Sequence, residues 1–288
     1  MKVDKEPTIR QIKQQVTEEL IPMYHQAEAQ QIASLLIEHV CKLNKTEQAL
    51  HAIKKLSETE LKAIEKTLSQ FNNAVPLQYI IGETEFYSRR FFVSEGVLIP
   101  RPETEELVEQ IIKKLPKNKP LNILDIGTGS GIIAISLALE LPNASVYASD
   151  FSDKAIKLAK QNAKSLQADV QFISHDIFSV TKSLPYNMDC IVSNPPYVRE
   201  SEKAQMHDNI LKHEPHTALF VKDEDALVYY QRIAEIANEH LKHNGVIFCE
   251  INEALAEETK KCFVNSGFGN IFVRKDINNK DRIIQVKY

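Results

Sequence analysis

From Pro102 onward the chain alternates short strand-like runs with helical ones, and this rhythm leaves few folds open. Strand candidates are Asn122 to Ile126, Ser145 to Asp150, Val170 to Ser174, Met188 to Ser193, Val246 to Ile251, Ile271 to Asp276 and Arg282 to Lys287. Helical stretches lie between most of them, Ile132 to Leu141 and Asp153 to Leu166 among them. Strands joined through helices run parallel, so the expected fold is α/β, a doubly wound and mostly parallel sheet. The last two candidates adjoin too closely for a helical crossover and are expected to pair antiparallel.

The first quarter has a different texture. No glycine occurs before Gly82, as suits a helical module with short polar turns. Ile32, Leu35, Leu36 and Val40 recur on one helical face, as do Leu61, Ile64, Leu68 and Phe71, the latter preceded by a capping box at Ser57 and Glu60. These stripes are core. Through residue 75, ten lysines and arginines balance ten aspartates and glutamates, so the module offers no excess charge to phosphates, and gripping a protein suits it better. Glu85-Phe86-Tyr87 and Arg90 to Val93 read as a hairpin around Ser88-Arg89. The expected domains are thus a helical bundle over 1–75, a linker with hairpin over 76–97, and an α/β domain over 98–288.

Composition excludes several classes. The longest apolar stretch, Ile132 to Leu139, is interrupted by Ser136 and too short to span a bilayer, and Met1 to Lys5 begins no apolar signal core. A cytoplasmic monomer is expected. Cys41, Cys190, Cys249 and Cys262 show no C-x-x-C spacing, which favours free thiols over disulfides or zinc. His207, His213 and His216 lie close together but with irregular spacing and one carboxylate, so they read as surface loop and no metal site is expected. A net charge of −4 argues against a broad footprint for duplex nucleic acid.

Asp125-Ile126-Gly127-Thr128-Gly129-Ser130-Gly131 falls where the first strand meets its helix, and its glycines let the backbone turn sharply and a ligand approach. The third glycine comes one residue early for a dinucleotide loop, and no Walker lysine follows. Asp150 ends the second strand, 21 residues beyond Gly129, where a carboxylate accepts hydrogen bonds from ribose hydroxyls. Asp176, after the third strand, can receive an adenine amino group beside an apolar wall of Ile177 and Phe178, or can instead cap a helix. After the fourth strand, Asn194-Pro195-Pro196-Tyr197 forms a stiff ledge, because each proline fixes φ and removes an N–H. The Asn194 side-chain oxygen and a carbonyl of Asn194 or Pro195 could accept the two hydrogens of a planar NH2 while Tyr197 stacks on its face. The alternative is a plain strand-ending turn.

Together these segments resemble a class I S-adenosylmethionine-dependent methyltransferase, which implies that Asp125 and the glycine loop meet the methionine end and that Asn194 faces the methyl group. The resemblance narrows with Pro76 to Gly82, Glu85-Phe86-Tyr87, Leu98 to Glu105, Ile191 to Tyr197, Glu214-Pro215, Ala218-Leu219, Lys275-Asp276 and Asp281-Arg282. In that order they are similar to the PrmC or HemK family of release-factor glutamine methyltransferases. Membership implies methylation of the glutamine side-chain nitrogen in the Gly-Gly-Gln motif of class-1 peptide chain release factors, with the helical module holding the release factor. Departures are Phe220 to Asp225 where a glycine-rich segment is usual, Asn252 after Glu250-Ile251, and Ser88 and Asn279 in place of glycines.

Methyl transfer from a sulfonium is an in-line displacement, and positioning alone can contribute roughly 7–11 kcal/mol. An amide nitrogen is a poor nucleophile, so acceptors on both N–H bonds would aim its lone pair and stabilise developing positive charge. Glu103 and Glu105 suit the first turn of a helix, with Arg101 paired to one of them. Glu250 either lines the pocket or orients a loop. Two rivals are an adenine-N6 nucleic acid methyltransferase, whose flipped base would present a similar amine, and a non-catalytic module that retains the fold and binds a translation factor.

Overall fold

The computed structural model describes residues 6–71 and 73–288; the stretch 1–5, with its expected lack of a signal core, lies outside them. Two compact units form, one ending at Ile81 and the other spanning Gly82 to Tyr288.

The first unit is helical: α1 (Ile9–Leu20), α2 (Gln26–Cys41), α3 (Lys45–Leu50), α4 (Glu58–Phe71) and α5 (Leu77–Ile81). Side-chain caps begin three of them. Thr8 with Gln11, Asn44 with Glu47 and Ser57 with Glu60 each exchange side-chain and main-chain bonds across the first turn. Without glycines, left-handed turn positions fall to Lys42 and Ala74, at φ 55° and 59°. Ile9, Ile12, Val16 and Leu20 of α1 pack on Leu36, Ile37, Ile64 and Leu68. Leu35, expected in the α2 stripe, is 38% exposed. The buried face is instead Ala29, Ile32, Ala33, Leu36 and Ile37, a helical repeat that passes Leu35 by. Leu77 and Ile80 join this core, which is why the unit runs past the expected boundary at residue 75.

The second unit opens with a hairpin, β1 (Glu83–Phe86) and β2 (Arg89–Phe92). Its turn is Tyr87-Ser88, at φ 49° and 58°, one residue earlier than the sequence suggests. Two consecutive left-handed residues match the twist of a tight hairpin. Phe86 and Phe91 meet edge to face at 6.0 Å inside the same core as Leu107 and Ile133, so the hairpin belongs to the α/β unit and is no free linker.

Next come α6 (Pro102–Lys114), β3 (Leu121–Ile126), α7 (Ile132–Glu140), β4 (Ala144–Asp150), α8 (Asp153–Leu166), β5 (Val170–Ser174) and β6 (Met188–Ser193). A small parallel pair, β7 (Val198–Arg199) and β8 (Phe220–Val221), brackets α9 (Asp208–His213) and α10 (His216–Leu219). The chain ends with α11 (Val228–His240), β9 (Leu241–Glu250), α12 (Ala256–Asn265), β10 (Asn270–Lys275) and β11 (Asp281–Lys287). The seven-stranded sheet has the order β10-β11-β9-β6-β3-β4-β5. Among the described strands of this sheet, β11 alone is reversed: it pairs antiparallel with both β10 and β9, and the other pairs are parallel. The β10–β11 turn carries Asn279 at φ 63°, which asparagine tolerates where glycine is usual.

Alternation along the strands divides two cores. Ile123, Cys190 and Phe248 face the layer of α6 and α7, while Leu124, Ile191 and Ile247 face α11 and α12. Both faces are covered, as a parallel sheet requires. All four cysteines are free thiols. Among the described residues no helix is long and apolar enough to cross a membrane.

Candidate active site

The carboxyl ends of β3, β4, β5 and β6 open onto a cavity of about 430 Å³. It lies at the rim where the strand order reverses between β3 and β6, the usual ligand position in such sheets. Its volume suits a small-molecule ligand.

The glycine loop forms one wall. Gly127, Thr128, Gly129 and Ser130 line the cavity. The N–H groups of Gly127 and Thr128 both donate to the Ser149 carbonyl at 2.9 Å, tying the loop to the end of β4. Gly127 and Gly129 hold φ of 75° and 57°, the left-handed region where glycine bears no strain. Asp150 locks the turn further: one oxygen accepts from Gly129 N–H and the other from Ser152 N–H, both at 2.9 Å. Burial raises its pKa, opposed by those main-chain donors. With one bond at each oxygen, the carboxylate keeps lone pairs for ligand hydroxyls.

Two residues expected to touch a cofactor stand behind this wall. Asp125 is fully buried, does not line the cavity, and accepts from Thr128 Oγ1 at 2.7 Å, so its direct contact is with the loop. Burial pushes its carboxyl up to about 7, with the Thr128 bond pulling the other way. A Cβ at Gly131 would lie 2.8 Å from Ile135 Cδ1 and 3.0 Å from Ala159 Cβ, so this glycine lets α7 and α8 pack closely.

On the opposite side, Asp176 and Ile177 line the cavity beside Phe178. Asp176 Oδ1 accepts from Phe178 N–H at 2.9 Å in a tight turn. No helix starts there, so the capping alternative gives way to a turn that leaves the other oxygen available.

Asn194, Pro195 and Pro196 line the cavity from the end of β6. Among the described residues, no turn, loop or cap hydrogen bond ends on the main-chain oxygen of Asn194 or Pro195. Asn194 Nδ2 donates to Thr104 Oγ1 at 3.1 Å, which leaves Oδ1 free of protein partners among the described residues. Tyr197 departs from its expected place as a stacking surface. It does not line the cavity, and its hydroxyl donates to Glu250 Oε1 at 2.7 Å beneath the ledge. Burial, and then Glu250, holds its pKa well above the ordinary phenol value.

Glu250, at the end of β9, is 1% exposed and absent from the cavity wall. Thr104 Oγ1 donates to its Oε2 at 2.8 Å. Burial raises its pKa, against the pull of Tyr197, Thr104 and Arg282. Arg101 pairs with neither Glu103 nor Glu105. Its Nη2 donates to Glu214 Oε1 at 2.6 Å, while Glu214 Oε2 accepts from Ile99 N–H at 3.1 Å. This buried carboxylate pins the Leu98–Arg101 strip along the cavity. Glu105 remains in the first turn of α6 and accepts from Tyr87 N–H at 2.8 Å.

Sequence reasoning missed Val97, Ile99, Thr104, Phe151 and Tyr229 as wall residues. Thr104 and Ile99 sat inside a recognised motif, a signal that something there was constrained; Tyr229 and Phe151 had none. Asn252, where glycine is usual, holds an ordinary φ of −71° and donates to the Tyr197 carbonyl at 3.1 Å and to Glu202 Oε2 at 2.9 Å.

Residues 12–82 match the PrmC N-terminal domain and residues 104–218 the methyltransferase small domain. A release factor glutamine methyltransferase of Flavobacterium psychrophilum is 44% identical, over 97% of this chain and 99% of its own. This chain belongs to the release factor glutamine methyltransferase family. A relative of the same name from Bacteroides thetaiotaomicron is 45% identical over 80% of this chain and 82% of its own. The fold has a distant likeness in the T. thermophilus 16S rRNA N2 G1207 methyltransferase complexed with AdoMet and guanosine, at 18% identity and a TM-score of 0.52, over 71% of this chain and 49% of that one. The wall fits the S-adenosylmethionine that the sequence resemblance implies: paired left-handed glycines, a carboxylate with spare lone pairs, and an apolar flank.

Proposed function

We propose that this protein methylates the side-chain amide nitrogen of the glutamine in the Gly-Gly-Gln motif of class-1 peptide chain release factors, in the cytoplasm. The observation that carries this reading is the free Asn194 Oδ1, held on the cavity wall beside the Asn194 and Pro195 carbonyls. When bound, S-adenosylmethionine supplies a methyl group on a positively charged sulfur. The glycine loop and Asp150 would hold its nucleoside and methionine portions, and Asp176 and Ile177 would meet the adenine. Asp125 acts through Thr128, holding the glycine loop in place from behind.

The ledge does the chemistry on the nucleophile. Asn194 Oδ1 and a neighbouring carbonyl accept both amide hydrogens, which turns the nitrogen lone pair toward the methyl group. As the nitrogen gains positive charge, these acceptors bind it more strongly, so their effect grows toward the transition state. The nitrogen–carbon bond forms as the methyl–sulfur bond breaks to leave a neutral thioether, and the nitrogen then releases one of its two hydrogens as a proton to water, so no side chain is required to take it during transfer. The N-terminal helical unit, neutral in charge, holds the body of the release factor.

The test is direct. The protein is incubated with labelled S-adenosylmethionine and purified class-1 release factors, alongside versions whose Gly-Gly-Gln glutamine is alanine. Label is expected on that glutamine alone. Label on another residue, or only on nucleic acid, would overturn the assignment.

A further inference from the structure

The amide of Asn194 can present either its oxygen or its NH2 to the cavity, and only the oxygen suits a donor substrate. What decides between them is a chain of buried hydrogen bonds. Glu250 Oε2 lies 2.8 Å from Thr104 Oγ1, and Thr104 Oγ1 lies 3.1 Å from Asn194 Nδ2. Thr104 and Glu250 are each 1% exposed, so water does not compete for these groups.

We infer that Glu250, acting through Thr104, sets the orientation of the Asn194 amide and thereby the preference of the site for an NH2 group. Tyr197 donates to one Glu250 oxygen and Thr104 to the other, so the carboxylate accepts at both and the single hydroxyl hydrogen of Thr104 is committed to it. The Thr104 oxygen then offers only lone pairs to Asn194. Asn194 must answer with its NH2, and its oxygen is turned to the cavity. The opposite arrangement would set a Thr104 lone pair against the carboxylate inside a dry site, where an unmade bond is costly. Tyr197 completes the device by occupying the other Glu250 oxygen, at 2.7 Å, so the carboxylate has no reason to turn away. Glu250 and Thr104 are positioning residues; neither is assigned a contact with the reacting nitrogen.

The inference rests on Asn194 Oδ1 being the substrate acceptor, and it makes an unusual demand of Glu250→Gln. This variant preserves shape, yet its new NH2 would donate to Thr104. Thr104 would then donate onward, and Asn194 would flip to show its NH2 to the cavity. Glu250→Gln should therefore lower kcat/KM on the release factor by on the order of 100-fold, the scale for a misdirected transition-state contact. Thr104→Val, which only frees the amide, should cost roughly 10-fold, as for a supporting hydrogen bond. The double variant should match Thr104→Val to within about threefold, because with the hydroxyl gone the glutamine has no route to Asn194.

The experiment measures these constants with S-adenosylmethionine affinity by calorimetry, with Thr104→Ser and Asn194→Ala as added arms. Affinity for S-adenosylmethionine should hold throughout, and Thr104→Ser should recover the activity lost in Thr104→Val. A release factor carrying glutamate in place of the target glutamine should inhibit Glu250→Gln more strongly than the parent enzyme, since a flipped Asn194 would donate to a carboxylate. An active Asn194→Ala would sink the acceptor reading itself. If Asn194→Ala is inactive while Glu250→Gln and Thr104→Val turn over normally, or if the losses in Glu250→Gln and Thr104→Val multiply in the double variant, the relay is refuted. Should Glu250→Gln fail to fold, the Thr104→Val and Thr104→Ser pair decides: no difference between them refutes it.

Discussion

Replacing Asp125 with asparagine should change how stability depends on pH, in a direction set by burial. The Asp125 carboxyl sits at about 7 rather than its ordinary 3.8, because it is fully enclosed behind the glycine loop with Thr128 Oγ1 as its hydroxyl donor. Between those two values the unfolded chain has lost the proton and the folded chain keeps it. The folded state therefore binds more protons, and stability falls as pH rises through this window, by up to about 1.4 kcal/mol per pH unit. The full effect is about 4 kcal/mol, present below the unfolded pKa and exhausted above about pH 7. Asparagine keeps an oxygen for Thr128 and has no proton to lose. Urea unfolding of both proteins from about pH 5 to about pH 7 should show the difference moving by about 2–3 kcal/mol in favour of Asp125→Asn. Asp150 and Glu250 are also raised by burial, but they are common to both proteins and cancel in the comparison. A difference that stays constant across this range would mean that Asp125 is ionised throughout, and would refute the argument from its enclosure.

Two further outcomes follow from the site geometry. Asn194→Ala should lower kcat/KM on the release factor by roughly 100- to 1,000-fold. S-adenosylmethionine affinity by calorimetry should change by less than about threefold, because the residue acts on the nucleophile; equal losses in both would make it a cofactor residue instead. Gly131→Ala should reduce the thermal stability of the methyltransferase unit by about 1–3 kcal/mol. The new methyl would meet Ile135 Cδ1 at 2.8 Å and Ala159 Cβ at 3.0 Å, at a φ of 85°. An unchanged melting temperature would show that α7 and α8 can move apart freely.

Much of the sheet was legible because strand and helix differ in period. Val170–Ser174 and Met188–Ser193 stand where alternation and flanking polar residues put them. Errors came where a boundary depended on packing. The hairpin turn fell at Tyr87-Ser88 since two residues there take left-handed φ, which neither residue type advertises. Leu35 is apolar and helical in phase with its neighbours to within one position, yet the α2 face that meets α1 excludes it.

The sequence by itself determined which chemistry could gather at the carboxyl rim: glycines next to a strand end, aspartates at the following strand ends, and an asparagine before two prolines. These are local matters, decided by backbone sterics and by the order in which strands meet helices. Only the tertiary structure decided what each group faces. It withdrew Asp125 and Gly131 behind the loop, turned the Tyr197 hydroxyl onto Glu250, and drew Thr104 from 90 residues away to hold Asn194. Hydrogen-bond direction is a property of neighbours in space, and spacing along the chain carries no record of it.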